Sequence, residues 1–268
     1  GTVTNEDKWL IFKSPCNVPS EVKNDGVTID WERDGIDKRE VLAAFKLDND
    51  NNLMVEKAGT AHIGVFSFLP LKEIPSGLNF LIQADFLTNP GRGELARECV
   101  WNEWLAKEVY SLIVNKAILA FLKNDKWKLN YTEILYSLEG GHELFESNIK
   151  KPLRDYLENN PVIVSEDGSL ARPAEALLMS EEVKQLFIKD DFRAVYMDKK
   201  IVHKDCRPAG GLQIKKAPIE IHSFLDSEEG KKLLANKVLC KDKDWFKELF
   251  LKLAKKYDIN YFMSKYAR

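Results

Sequence analysis

A chain of 268 residues is long enough for one large domain or two ordinary ones, and its 44% hydrophobic content supports a substantial core. No apolar run approaches the roughly 18 residues a membrane-spanning helix needs, so a membrane partner is not expected. The 40 basic and 42 acidic residues leave a formal net charge of −2, which argues against a surface dominated by nucleic-acid contacts.

In chain order, WLIF at 9–12 and EVLAAFKL at 40–47 read as strands, the second closed by the turn signal LDNDNN. HIGVFSFLPL at 62–71 and LNFLIQADFL at 78–87 read as neighbouring strands joined by the turn KEIPSG. On the latter, Ile82, Ala84 and Phe86 share one face, and Gln83 and Asp85 the other. From Trp101 the period changes: Leu105, Val109, Leu112, Ile113 and Ala117 follow three-and-four spacing, predicting a long amphipathic helix toward Leu122. Further helices are expected over 130–138 and 142–159, the second interrupted near Pro152. PVIVSEDGSLARP at 161–173 has the form of a hairpin around Asp-Gly, and a helix-prone AEALLMSEEVKQLF follows Pro173. Pro208, Gly210 and Gly211 force a loop, and DWFKELFLKLAKKY places Trp245, Phe246, Leu249, Phe250 and Leu253 on one helical stripe. The expectation is an α+β chain: an α/β unit over 1–125, then a mainly helical unit over 126–268 with a small β-hairpin.

Cys16, Cys99, Cys206 and Cys240 form no CxxC pair, and the four histidines are equally scattered. We therefore expect reduced thiols, no zinc, and a cytoplasmic protein. The opening GTVTNEDKW has neither an initiator methionine nor a signal-peptide pattern, which reads as a piece of a longer protein. There is no GxxxxGK[ST], GxGxxG after a strand, HExxH or GxSxG, so no independent active site is expected. One loop, TNPGRGEL at 88–95, stands apart. Arg92 offers a permanently charged donor fork suited to phosphate, and Gly91 and Gly93 let the backbone turn tightly around it. Its alternative is a surface salt bridge. Asn89 either orients a phosphate oxygen or caps the turn; Glu94 either pairs within the loop or caps the next turn. Trp101 and Trp104, at the start of the following helix, pin this loop to the core or form an aromatic binding surface. Asn102 cross-links the loop or lies on the helix surface. The lysine-rich tract at 231–257 is interleaved with acids and reads as a solvated helix face, nucleic acid being its alternative use.

FSFLPLKEIPSGLNFLIQADFLTNPGRGELARECVWNEWL resembles the segment after the ATP-binding domain in sacsin-like proteins with an Hsp90-type (GHKL) ATPase. The matching residues are Phe68, Leu69, Pro70, Gly77, Leu78, Phe86, Leu87, Arg92, Trp101, Asn102 and Leu105. PVIVSEDGSLARPAEAL and WFKELF at 245–250 resemble later elements of such modules, so the likeness covers the first 125 residues and the rest in patches. More broadly the pattern is similar to the middle domain of Hsp90, MutL and topoisomerase-type ATPases. That resemblance implies a ribosomal-protein-S5 domain-2-like fold for the first unit. It also implies a catalytic contact from Arg92, with Asn89 three residues earlier, to the terminal phosphate of ATP. Gly93 stands where an acidic residue often follows the arginine, and Glu94 comes one position late. Lys72 or Lys57 is a second source of positive charge. ATP and Mg2+ would belong to an N-terminal ATPase domain of the same parent chain; the fragment holds no cofactor and turns over no ATP alone. Its role would be to couple that domain to conformational change, acting on a protein client in a chaperone-like manner. The alternatives are a module of a nucleic-acid-processing or defence ATPase, and a protein-interaction scaffold.

Overall fold

The computed structural model describes residues 7–54, 64–137, 140–187 and 191–256. They form a mixed α+β fold of small sheets and many helices. Two compact units are distinguished, Gly1–Val164 with Asp205–Gln213, and Ser165–Lys204 with Ile214–Arg268. The composition shift near residue 125 falls inside the first.

The first unit opens with strand β1 (Lys8–Asn17), the short helices α1 (Ser20–Lys23) and α2 (Gly26–Asp30), and strand β2 (Lys38–Leu47). The strands pair antiparallel over ten residues, from Lys8↔Leu47 to Asn17↔Lys38. Both are longer than the apolar runs WLIF and EVLAAFKL, because paired backbone carries the ladder past the last apolar side chain. Alternation on β2 buries Val41, Ala43 and Phe45 on one face. Phe45 there meets Phe12, Phe80 and Phe121 with ring centroids 4.8–5.9 Å apart.

The segments expected as two long strands are three short ones: β3 (Val65–Ser67), β4 (Leu69–Pro70) and β5 (Leu81–Gln83). His62 and Ile63, the start of the first expected strand, lie outside the described residues. The sheet order is β1-β2-β5-β3-β4. β3 and β5 are neighbours, as the pattern suggested, but they pair parallel through Val65↔Ile82. A six-residue turn cannot join parallel neighbours. The chain instead folds back at Phe68 to make β4, and the stretch 71–80 supplies the crossover.

Helix α3 (Val100–Leu112) runs through a π-helical turn, Ile113–Ala117, into α4 (Ile118–Lys123). The extra residue of the π turn keeps Leu105, Val109, Leu112, Ile113, Ala117, Ile118 and Phe121 all buried along one continuous helix. After α5 (Tyr131–Leu135), helix α6 (Glu143–Phe145) continues through a second π turn, Glu146–Lys150, into α7 (Lys151–Asn159). Pro152 therefore does not interrupt this helix. It sits in the first turn of α7, where its missing N–H is absorbed by the preceding π turn. Leu138, the end of the expected 130–138 helix, lies outside the described residues.

The hairpin expected at 161–173 is present as β6 (Ile163–Val164) with β7 (Leu170–Ala171), Gly168 taking φ +79° in its turn. The helix expected after Pro173 is corrected. Pro173–Glu175 makes a single 3-10 turn, Ala176–Leu178 is a strand, β8, and only Glu181–Lys184 is α-helical, as α8. After α9 (Asp191–Tyr196) come β9 (Lys200–Ile201) and β10 (Lys215–Lys216), which flank β8 in a parallel three-stranded sheet. Ala176 and Leu177 are buried as its centre, so tertiary pairing overrides their helix propensity. Helices α10 (Ile221–Leu225), α11 (Glu228–Leu239) and α12 (Lys243–Lys256) complete the second unit. Its core gathers Leu177, Val183, Phe224, Leu233, Trp245, Leu249 and Leu253. Phe250, placed on the apolar stripe by spacing, is half exposed. No helix among the described residues is long and apolar enough to cross a membrane.

Candidate functional site

The segment 64–105 assembles the arginine loop and its supports. Leu87 is its anchor. The Asn102 carboxamide accepts from Leu87 N–H at 2.8 Å and donates to Leu87 C=O at 2.9 Å, so one side chain satisfies a whole residue as a paired strand would. Trp101, fully buried, donates its indole N–H to Asp85 C=O at 2.9 Å. Two successive residues at the start of α3 thus fix alternate residues of the segment that leads from β5 into the loop. Trp104 packs edge-on against Trp101, with ring centroids 5.3 Å apart, and its buried indole N–H has no partner among the described residues.

The loop itself is closed by its own backbone. Thr88 and Leu95 form an isolated antiparallel bridge, Asn89 N–H donates to Glu94 C=O at 2.9 Å, and Ala96 N–H to Leu87 C=O at 2.9 Å. The Asn89 side-chain oxygen accepts from Gly93 N–H (3.0 Å) and Glu94 N–H (3.3 Å), while its carbonyl accepts from Arg92 N–H (2.9 Å). Asn89 is therefore the turn's cap. Arg92 lies at the apex with φ +58°, a left-handed conformation uncommon outside glycine. The Glu94 carboxylate makes a loose, exposed pair with Arg97 at 3.8 Å.

Arg92 makes no salt bridge among the described residues. Its Nη2 donates to Ser67 C=O at 2.7 Å and to Leu69 C=O at 3.3 Å. Those carbonyls flank Phe68, the turn between β3 and β4, which also has φ +58°. Phe68 is 77% exposed and Leu69 61%, a bare apolar tip. Ser67 is itself fixed by its hydroxyl, which donates to Phe86 C=O at 2.9 Å. Beside the tip runs a shallow groove of about 410 Å³ lined by Leu69, Pro70, Lys72, Glu73, Gly91 and Arg92. A side chain on Gly93 would meet the Glu73 carboxylate, at 2.6 Å from its Cβ, so the acidic group near the arginine comes from Glu73. Lys72 adds a second exposed cation; Lys57 lies outside the described residues.

Beneath the loop, buried Asp85 pairs with Arg39 at 2.7 Å and Arg33 at 3.6 Å, and the Arg39 guanidinium stands 5.6 Å from the Trp101 ring centre. Sequence reasoning missed Arg39 and Ser67, and singled out Phe68 only as a residue of the resemblance, with no role at the loop. The one local signal was Asp85, a charged residue inside the apolar run LNFLIQADFL. Cys99, just before α3, is buried, and that burial pushes its thiol pKa up; its sulfur is an unreactive filler.

No protein-family profile and no solved structure matches the chain. Over 190 residues it is 25% identical to Protein NO VEIN of Arabidopsis thaliana. That alignment covers 65% of this chain but 7% of the plant protein's length.

Proposed function

We propose that the chain is a transducer segment that couples nucleotide chemistry in an N-terminal ATPase domain of the same parent chain to conformational change. In this reading the first unit is an S5 domain-2-like domain of a sacsin-like protein with an Hsp90-type ATPase. The observation that carries it is an apical arginine held in a strained, doubly anchored loop beside a second cation. Asn102 and Trp101 fix the loop's base, Asn89 caps its turn, and Arg92 and Lys72 line one groove. Pre-organised donors of this kind stabilise charge developing during phosphoryl transfer. ATP with Mg2+, bound in the preceding domain, would supply the transferred phosphoryl group. Arg92 would meet it on domain closure, and this chain alone would hydrolyse nothing.

The test is steady-state ATP turnover of the parent protein, wild type beside Arg92→Ala, with equilibrium nucleotide binding measured in parallel. Turnover should fall by about 10²–10³-fold, the usual cost of losing one such donor, with a smaller change in nucleotide affinity. Equal turnover in the two proteins rejects the reading. A variant that no longer folds assigns Arg92 to the structure of the β3–β4 tip instead.

A further inference from the structure

Arg92 and the Phe68–Leu69 tip share one nitrogen. A guanidinium has two edges that can grip an oxyanion with two parallel N–H bonds, one formed by Nε and Nη2, the other by Nη1 and Nη2. Nη2 belongs to both. In this structure Nη2, with two hydrogens, is bonded to two carbonyls, Ser67 C=O at 2.7 Å and Leu69 C=O at 3.3 Å. Nε and Nη1 have no partner among the described residues, yet neither forms a two-pronged edge without Nη2.

We propose that Arg92 is a two-position fork: it either clamps the tip or grips an oxyanion with two bonds, and taking the second releases the first. This deepens the proposed function and rests on it for the source of the anion, the terminal phosphate of a nucleotide. The longer contact, to Leu69 C=O, yields first. Phe68 then loses the restraint on a left-handed backbone that no glycine relieves, and it relaxes. The exposed apolar surface of Phe68 and Leu69 is thereby presented in one arrangement without nucleotide and in another with it. Lys72, on the same groove, favours the approach of the anion.

The experiment uses nuclear magnetic resonance of the 268-residue chain with inorganic pyrophosphate as the probe, reading the Arg92 Nε–H and the amides of Phe68, Leu69 and Leu71. Leu71 N–H donates to Val65 C=O at 2.9 Å and reports closure of the turn. In Arg92→Ala the tip amides should shift, and Leu71 should exchange its proton about tenfold faster, the scale of a lost charge-assisted hydrogen bond. Pyrophosphate should move the wild-type Arg92 signal and the tip amides with one midpoint, toward the Arg92→Ala positions. Arg92→Lys, which keeps a donor but has no fork, should hold the tip near its wild-type positions and lose the response to pyrophosphate. Tip amides that are identical in wild type and Arg92→Ala overturn the proposal. So does an Arg92 signal that responds while the tip stays still, and so does one that does not respond at all. Each of these leaves the transducer reading to the turnover measurement, which is independent of the tip.

Discussion

Asn102 does with one carboxamide what a neighbouring strand does with backbone, and its burial makes that exchange costly to lose. In Asn102→Ala the Leu87 N–H is left buried without a partner. The Leu87 C=O retains only Ala96. An orphaned buried amide plus a lost hydrogen bond should lower stability by about 2–3 kcal/mol, read as a shift in the denaturant midpoint with an unchanged slope. A shift within error of zero would mean that the Arg92 loop is anchored elsewhere. At this scale the loop was legible because Asn-Pro-Gly-Arg-Gly carries its own turn chemistry: each backbone demand is met within a few residues. The partner of Asn102 was not. Its hydrogen bonds reach 15 residues back, and nothing in helical spacing marks a buried asparagine from an exposed one. The same holds for Arg92, whose charge suggested an anion or an acid while its actual partners are carbonyls 25 and 23 residues away.

Among elements, the β3–β4 turn and the π turn before α7 each hold an unusual backbone by side-chain means. Phe68 has a left-handed φ, no side-chain hydrogen bond and a largely bare ring, so the fold gains little from it. Phe68→Gly should therefore stabilise the isolated chain, by about 1 kcal/mol, by removing strain that glycine does not feel. A loss of stability would show that the ring is packed in solution. The second π turn, Glu146–Lys150, is tied by charge. Burial pushes the Glu146 carboxyl up, but hydrogen bonds and charge from Arg154 and Lys150 outweigh it and hold the pKa below its ordinary 4.5. Fully buried Lys150 also donates to Gly140 C=O, and Gly77 and Gly141 let the segments 76–77 and 140–141 approach without a clashing Cβ. A depressed carboxyl pKa contributes stability that is complete above its unfolded value and lost as pH falls through the folded one. Wild type should accordingly lose stability more steeply than Glu146→Gln as pH falls below the ordinary carboxyl value of 4.5, the variant starting lower and declining less. Parallel pH profiles would place the stabilising charge on other carboxylates. The helix through α3 and α4 and the one through α7 were legible from the sequence, but both π turns were not, since one inserted residue leaves the apolar stripe almost continuous. The strand β8 was hidden for a different reason: Ala-Leu-Leu favours helix, and only its neighbours β9 and β10, far along the chain, make it a strand.

In the whole molecule, the first compact unit is discontinuous, and its last piece is 205–213. That piece returns to α5 and its flanks through several bonds. Arg207 N–H donates to Leu129 C=O at 2.7 Å, Ala209 N–H to Thr132 Oγ1 at 3.2 Å, and the Tyr136 hydroxyl to Gly211 C=O at 3.2 Å. Gly211 must stay small, because a Cβ there would lie 2.3 Å from the Tyr136 ring. A chain ended at residue 164 loses all three bonds and uncovers Thr132, which is buried in the intact chain. Its stability should fall by about 2–3 kcal/mol, at roughly one for each bond, and the Tyr136 amide, bonded to Thr132 C=O, should exchange faster. A second chain, in which a short glycine linker replaces 165–204 and the sequence ends at 213, should recover most of that loss. Recovery identifies 205–213 as part of the first folding unit. Equal stability of the two truncated chains would instead make 205–213 a passive connection, with the first unit complete at Val164.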